Sequence, residues 1–328
     1  MGTILNFGKY LISKKSNHAA YVQMRHDYIV NKNNSIDTCV KINSILNPKF
    51  KIKKSKGILG ELDSQSVTKI SNAITENGYY IFDTRLDEMS LTSIKSFMEN
   101  VPVAYRIPLS GTTTPKSDSY INCKENSTRF DLVQTDYCNK NVDILRLITD
   151  ENFLHIANEY LNTKPILDIV AIWWNKIIPE TLSKEDKELL KNTSAQMFHH
   201  DMDRLKFIKF FIYITDVDMD TGPHVYVQKS NLKSPSYILK DGRYSDEMIS
   251  ENAGSDVISI CGPKGSIIAV DTRGLHKGME VNTSERLLFQ LEFCNSLFGK
   301  PEFPNFKLNL KMNSAYSSSY KLYSANKN

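Results

Sequence analysis

The chain has 328 residues, 41% of them apolar and 24% charged, a balance that supports a packed core and excludes disordered and fibrous classes. Its 41 basic and 37 acidic residues leave a net charge of +4, too even to imply nucleic-acid binding. The longest markedly apolar run, Phe207 to Ile214, contains Lys209 and is too short to span a bilayer, so no membrane role is expected.

No charged-then-apolar segment opens the chain, and Asn6 stands where N-myristoylation wants Ser or Thr. Five cysteines, Cys39, Cys123, Cys138, Cys261 and Cys294, are odd in number and lack Cys-x-x-Cys spacing. They predict neither a disulfide framework nor a zinc knuckle, and a reducing, cytoplasmic location is expected.

Residues 1–60 are rich in Asn and Lys and weakly periodic, and read as a basic N-terminal arm. Its five lysines between Lys49 and Lys56 read as a solvated connector, or else as a rim attracting an anionic substrate or carrier. A single domain is expected over 61–300, helical and mixed over 61–180 and β-rich over 181–300, with a tail at 301–328. Val67, Ile70, Ala73 and Ile74 predict a helix that stops at Asn77-Gly78, and Tyr79 to Phe82 a short strand. A helix follows from Ser90, then a loop-like stretch over 105–140. Phe153, Ile156, Ala157 and Tyr160 mark another helix, and Ile166 to Trp174 a buried strand. Beyond Gln196, short apolar runs alternate with turns at Thr221-Gly222-Pro223, Asp241-Gly242 and Cys261-Gly262-Pro263, the pattern of a sandwich or barrel. The tail beyond Pro304 reads as an irregular or partly disordered wrap. The fold class is therefore mainly β with flanking helices.

The chemistry concentrates in Gln196 to Asp203. On a strand, His199, Asp201 and Asp203 share one face and His200 points away. A lone His-x-Asp is common, but a second imidazole, His276, lies 75 residues beyond Asp201. Two histidines and a carboxylate form a facial triad with open positions, suited to Fe(II) that must bind a co-substrate and oxygen. Ten residues past His276, Arg286 offers a fork for a carboxylate. Charge agrees: Fe(II), Asp201, a dicarboxylate such as 2-oxoglutarate and Arg286 sum to neutrality.

The order His199, Asp216-Val217, Gly222-Pro223, Ser230, His276 and Asn282-x-Ser284-x-Arg286 resembles the phytanoyl-CoA dioxygenase-like branch of Fe(II)/2-oxoglutarate oxygenases. With the helix ending at Asn77-Gly78 and the strand after it, the resemblance covers roughly residues 60 to 298. It implies a double-stranded β-helix (jelly-roll, cupin-like) core, with His199, Asp201 and His276 as metal ligands and Arg286 holding 2-oxoglutarate. It also implies hydroxylation of an unactivated C–H bond, consuming O2 and releasing succinate and CO2. Asp201 disfavours halogenation, since halogenating members carry a small residue there. Two features depart from the family: Gln228-Lys229-Ser230-Asn231 replaces the usual Pro-Gly-Ser-His, and the His276-to-Arg286 spacing is slightly short.

Asn175 is a further candidate for binding the co-substrate and Tyr213 for lining its pocket, although a packed ring with its hydroxyl at the rim also fits Tyr213. Asp203 either orients a ligand or is solvated. His224 reads as a loop residue, His18, His26 and His155 as residues on polar or mixed faces, and Trp173 and Trp174 as core. The substrate is expected to be a small metabolite or natural-product intermediate. Arg106, Lys116, Lys124, Arg129, Lys229 and Lys233 are available to an anionic one. Oligomeric state stays open. The alternative is a jelly-roll metal- or sugar-binding protein without 2-oxoglutarate chemistry, which would have no reason to place Arg286 in step with the triad.

Overall fold

Residues 2–46 form helices, not an arm. In the computed structural model, which describes residues 2–106, 113–123, 127–132, 135–301 and 306–325, they are α1 (Gly2–Ser13), α2 (His18–Ile29) and α3 (Ser35–Leu46). Phe7, Tyr10, Met24, Tyr28 and Ile36 pack against Phe198, Met202, Leu205 and Phe298 of the later chain. Asp27 ties the three together: it is buried and accepts from Thr3 Oγ1 at 2.6 Å, Asn31 Nδ2 at 2.9 Å and Asn33 Nδ2 at 3.0 Å. Asp27 takes a buried position on α2 where an apolar residue would mark the helix face, and its partners Asn31 and Asn33 fill the linker before α3, so the segment reads as polar.

The lysine run is exposed, as a solvated connector would be, and part of it forms the hairpin β1 (Lys54–Gly57) and β2 (Gly60–Asp63). Asp63 caps α4 (Ser64–Asn77), which ends at Gly78 in the left-handed region (φ 90°). Tyr226 packs so closely there that a Cβ would collide with its ring. β3 (Tyr79–Arg85) and α5 (Glu88–Asn100) follow.

The stretch read as a loop contains β4 (Pro102–Arg106), β5 (Thr113–Ser119) and β6 (Arg129–Leu132). These strands form one end of the large sheet, where hydroxyl- and proline-bearing sequences lacking apolar alternation are tolerated. Next come α6 (Val142–Ile148), α7 (Glu151–Leu161), β7 (Ile166–Asn175), α8 (Lys184–Thr193), β8 (Phe207–Tyr213) and β9 (His224–Val227). The core closes with α9 (Asp246–Ala253), β10 (Val257–Ile260), β11 (Ser266–Val270), β12 (His276–Gly278) and β13 (Arg286–Cys294).

The large sheet runs β3-β11-β8-β13-β7-β6-β4-β5 and the smaller one β10-β9-β12. Every pairing within the two sheets is antiparallel. A bridge from His199 to His276 extends the smaller sheet by one more segment. Trp173, Phe211, Tyr213, Val270 and Leu288 of the large sheet meet Tyr226 and Ile260 of the small one. Two antiparallel sheets face to face, with the chain passing repeatedly between them, make a jelly-roll, flanked here by helices.

Alternation decides what lines its interior. On β8, Phe210 and Ile212 face the helices, with Phe210 stacked on Phe153 at 4.6 Å, so Lys209, Phe211 and Tyr213 face inward. On β13, Leu287, Phe289 and Leu291 face the helices and Arg286, Leu288, Gln290 and Glu292 face inward.

The tail is ordered where described. β14 (Phe306–Leu310) pairs in parallel with β15 (Tyr323–Ala325), and Leu308, Leu310, Tyr320 and Tyr323 join the main core. Among the described residues no helix is long and apolar enough to cross a membrane, and all five cysteines are unpaired.

Candidate metal centre

His199 and His276 come from adjacent segments of the small sheet. The His199 N–H donates to the His276 carbonyl at 3.0 Å and the His276 N–H to the His199 carbonyl at 3.1 Å. This reciprocal bridge brings their ring centroids to 4.3 Å. Just past the bridge the chain leaves the strand, and the Asp201 N–H donates to the Thr272 carbonyl at 2.9 Å. The carboxylate then sits between the imidazoles, with Oδ1 3.4 Å from His199 Nε2 and Oδ2 3.3 Å from His276 Nε2. One ligand atom from each residue lies within 4.8 Å of the other two, a span one ion can bridge.

The outer nitrogens fit that use. His199 Nδ1 lies 2.8 Å from the Met197 carbonyl and His276 Nδ1 2.9 Å from the Gly274 carbonyl. A carbonyl can only accept, so both Nδ1 atoms carry the proton and both Nε2 lone pairs point at the carboxylate. Burial pushes the His199 imidazole down to about 3, and His276 beside it adds to the effect. A neutral imidazole is the form that ligates. Burial opposes ionisation of Asp201, but the Lys209 ammonium against its Oδ2 holds the carboxyl well below its usual range.

Lys209 is the residue the sequence reading missed. Its Nζ donates to Asp201 Oδ2 at 2.6 Å and lies 3.4 Å from Glu292 Oε2. Glu292 is fully buried, and neither of its oxygens has a hydrogen bond. The signal was available: Lys209 and Glu292 interrupt otherwise apolar strands, and a charge inside such a run needs a partner.

Arg286, at the start of β13, is buried inside the barrel. Its Nη2 donates to Asn175 Oδ1 at 2.7 Å, and its Nε has no partner. Burial lowers its pKa to about 10. Asn175 Oδ1 also accepts from Trp173 Nε1 at 2.9 Å, and its Nδ2 reaches the Thr128 carbonyl at 3.3 Å. Asn175 is therefore committed to holding Arg286. Tyr213 is buried with its hydroxyl donating to the Ile260 carbonyl at 2.7 Å and accepting from the His224 N–H at 3.1 Å. That places it in the wall, not at the rim.

His224 is not a loop residue. It opens β9 facing inward, 5.4 Å from the His276 ring and 5.1 Å from Phe211, with Nε2 buried and unpartnered. The preceding Gly222-Pro223 is a turn, but the turn ends one residue before the strand. His200 points away as expected, with Nδ1 2.6 Å from the Arg273 carbonyl. The Asp203 carbonyl accepts from the Lys300 N–H at 2.8 Å, and its carboxylate makes no contact with the triad. His155 is buried, not on a polar face, and its Nδ1 meets Ser55 Oγ at 3.0 Å.

Arg129 is closed on Asp131 at 2.7 Å and lies 4.2 Å over the Trp173 ring. Lys229 is exposed in a left-handed turn. Lys233 lines a separate cleft of about 370 Å³ with Lys206 and Arg273, and none of the triad residues lines it. Lys124 and the side chains of Arg106 and Lys116 lie outside the described residues. The altered turn still braces the centre, because Ser230 Oγ accepts from the Leu275 N–H at 2.8 Å, next to His276.

No family model and no curated protein matches the sequence. Solved structures similar to the chain include the epimerase SnoN in complex with Fe3+, alpha ketoglutarate and nogalamycin RO, at 14% identity, TM-score 0.47, over 70% of this chain and 84% of that one. HygX from Streptomyces hygroscopicus with nickel, 2-oxoglutarate and hygromycin B bound is similar at 13% identity, TM-score 0.46, over 77% and 94%. EctD from S. alaskensis with 2-oxoglutarate and 5-hydroxyectoine is similar at 11% identity, TM-score 0.46, over 76% and 86%.

Proposed function

We propose that this chain is an Fe(II)- and 2-oxoglutarate-dependent oxygenase that hydroxylates an unactivated C–H bond of a small metabolite or natural-product intermediate. Within that class its motif order favours the phytanoyl-CoA dioxygenase-like branch. The observation that carries the reading is Arg286: a buried guanidinium, without an anion among the described residues, inside the same barrel as two imidazoles and a carboxylate aimed at one point. Leaving such a charge unpaired is costly, and the distal carboxylate of 2-oxoglutarate would relieve it. A jelly-roll binding module accounts for the fold but not for that guanidinium.

His199, Asp201 and His276 would hold the iron. Bound there with 2-oxoglutarate and O2, iron supplies the oxidising chemistry that attacks C–H bonds while the co-substrate becomes succinate and CO2. The protein's own residues do the rest. The carbonyls of Met197 and Gly274 fix the imidazole tautomers, and Lys209 fixes one carboxylate oxygen of Asp201. Asn175 aims Arg286, while Phe211, Leu288 and Trp173 exclude water from the barrel interior. The test is succinate release from 2-oxoglutarate by the full chain with Fe(II) in air. Wild-type protein forms succinate, whereas His199→Ala and Asp201→Ala fall to the blank. A variant keeping full turnover and iron content would refute the assignment.

A further inference from the structure

The segment between β9 and α9 carries an arginine that the metal centre does not use. Phe198 and Tyr244 form an antiparallel bridge, the Tyr244 N–H donating to the Phe198 carbonyl at 2.9 Å. Arg243 therefore stands beside the segment that ends in His199 and Asp201. It is partly buried and its Nη1 has no hydrogen-bond partner. Among the described residues no carboxylate forms an ion pair with it. The nearest acid in sequence, Asp241, is spent on Arg25 through contacts of 2.6 and 2.7 Å. Arg243 and the Asp201 carboxylate lie within each other's electrostatic reach, yet Oδ2 of Asp201 is already held by Lys209.

Apart from Arg286, whose partner is the Asn175 amide, the arginines near the centre are closed by acids. Arg129 is engaged by Asp131, Arg273 by Asp271 at 2.6 Å and Arg204 by Asp168 at 2.6 Å. Arg243 has no such acid, and it sits where Asp201 keeps 22% of its side chain open. A guanidinium carries five donors and cannot shed its charge, so one half-buried without an acceptor is poised for an anion that arrives from outside.

We propose that Arg243 anchors the anionic group, a carboxylate or phosphate, of the molecule to be oxidised. The substrate is then an organic anion gripped at the rim, with its reacting carbon between that grip and the triad. The inference rests on the reading of the metal centre given above. Charge balance supports it. A divalent metal, Lys209, Arg286 and Arg243 against Asp201, Glu292 and dianionic 2-oxoglutarate leave one positive charge in excess, even with Glu292 counted as ionised. A monoanionic substrate completes the site. Arg286 and Arg243 thus divide the work, one reading the co-substrate from within and the other the substrate from the rim.

The test uses the full chain loaded with Mn(II) and saturating 2-oxoglutarate, with benzoate, phenyl phosphate, neutral benzamide and cationic benzylamine as probes. The readout is paramagnetic broadening of the probe protons by NMR. Benzoate or phenyl phosphate should bind near the metal roughly 10- to 100-fold more tightly than benzamide, the range for a charge-assisted pair. Arg243→Leu should erase that preference, Arg243→Lys should keep part of it, and Arg243→Glu should shift it toward benzylamine. Melting curves confirm that each variant is folded. Neither anion outbinding benzamide in wild-type protein, or an undiminished preference in folded Arg243→Leu, would overturn the proposal. If Mn(II) fails to broaden 2-oxoglutarate itself, the metal-centre reading falls first, and the two failures are told apart.

Discussion

Replacing Asn175 by alanine separates the support under Arg286 from Arg286 itself. The substitution removes the acceptor for Arg286 Nη2, at 2.7 Å, and for Trp173 Nε1, at 2.9 Å. Each buried donor left unpaired costs about 1–3 kcal/mol, so stability should fall by about 2–6 kcal/mol unless water fills the gap. Arg286 keeps its charge but loses its aim, and 2-oxoglutarate should bind about tenfold more weakly, or about 1.4 kcal/mol. Arg286→Leu removes the whole fork, two charge-assisted bonds worth about 1.5–3 kcal/mol each, and should weaken binding by about two orders of magnitude or more. The assay is calorimetric titration of 2-oxoglutarate into Mn(II)-loaded protein, with urea melts in parallel. In an Arg286→Leu background, Asn175→Ala should have no further effect on the co-substrate. An equal loss in both backgrounds would show that Asn175 acts independently of Arg286, and no loss in either would refute the positioning argument.

Three other outcomes follow from named contacts. Lys209→Met leaves Glu292 buried without its cation and should destabilise by about 3–5 kcal/mol, most of it recovered in Lys209→Met/Glu292→Gln, as urea melts would read. His224→Leu removes a buried, unpartnered nitrogen. It should leave the melting temperature unchanged or raised while weakening 2-oxoglutarate binding several-fold, and unaltered binding would make His224 merely a wall residue. At Asp27 burial opposes ionisation, but hydrogen bonds from Thr3, Asn31, Asn33 and Gln23 outweigh it and bring the carboxyl down to about 2. A depressed folded pKa stabilises above the unfolded value near 4, and that gain is lost as pH falls through about 2. The stability difference between wild type and Asp27→Asn should therefore shrink by up to about 2 kcal/mol from pH 5 to pH 2.

The candidate centre was legible in the sequence from residue type and spacing, His199-x-Asp201 and a distant His276 after the apolar strand Ser266–Val270. Asp201 itself lies just past the bridge and is placed by its N–H on the Thr272 carbonyl, not by strand alternation. Arg286 opens a strand whose partner, β7, ends at Asn175, so the register Arg286–Asn175 turns two separate candidates into one device. What was not legible depends on contacts distant in sequence. Lys209 looks like an interruption until Asp201 and Glu292 are placed beside it. His224 was hidden by the turn before it. Among the helices over residues 2–46, α2 was masked by the buried Asp27, whose partners Asn31 and Asn33 lie in the linker before α3. The strands over 102–132 owe their form to pairing with one another and, through β6, with β7, which no local pattern records.

The central claim is that one metal, held by His199, Asp201 and His276, binds 2-oxoglutarate against Arg286. Anaerobic titration of the full chain with Fe(II) and 2-oxoglutarate tests it most directly. One equivalent of each should give a weak charge-transfer band at roughly 500 nm, as expected for iron chelated by a keto acid. The band should be absent in Asp201→Ala and should need far more 2-oxoglutarate in Arg286→Leu. No band in wild-type protein that has taken up iron, or one of full strength in Asp201→Ala, would contradict the account.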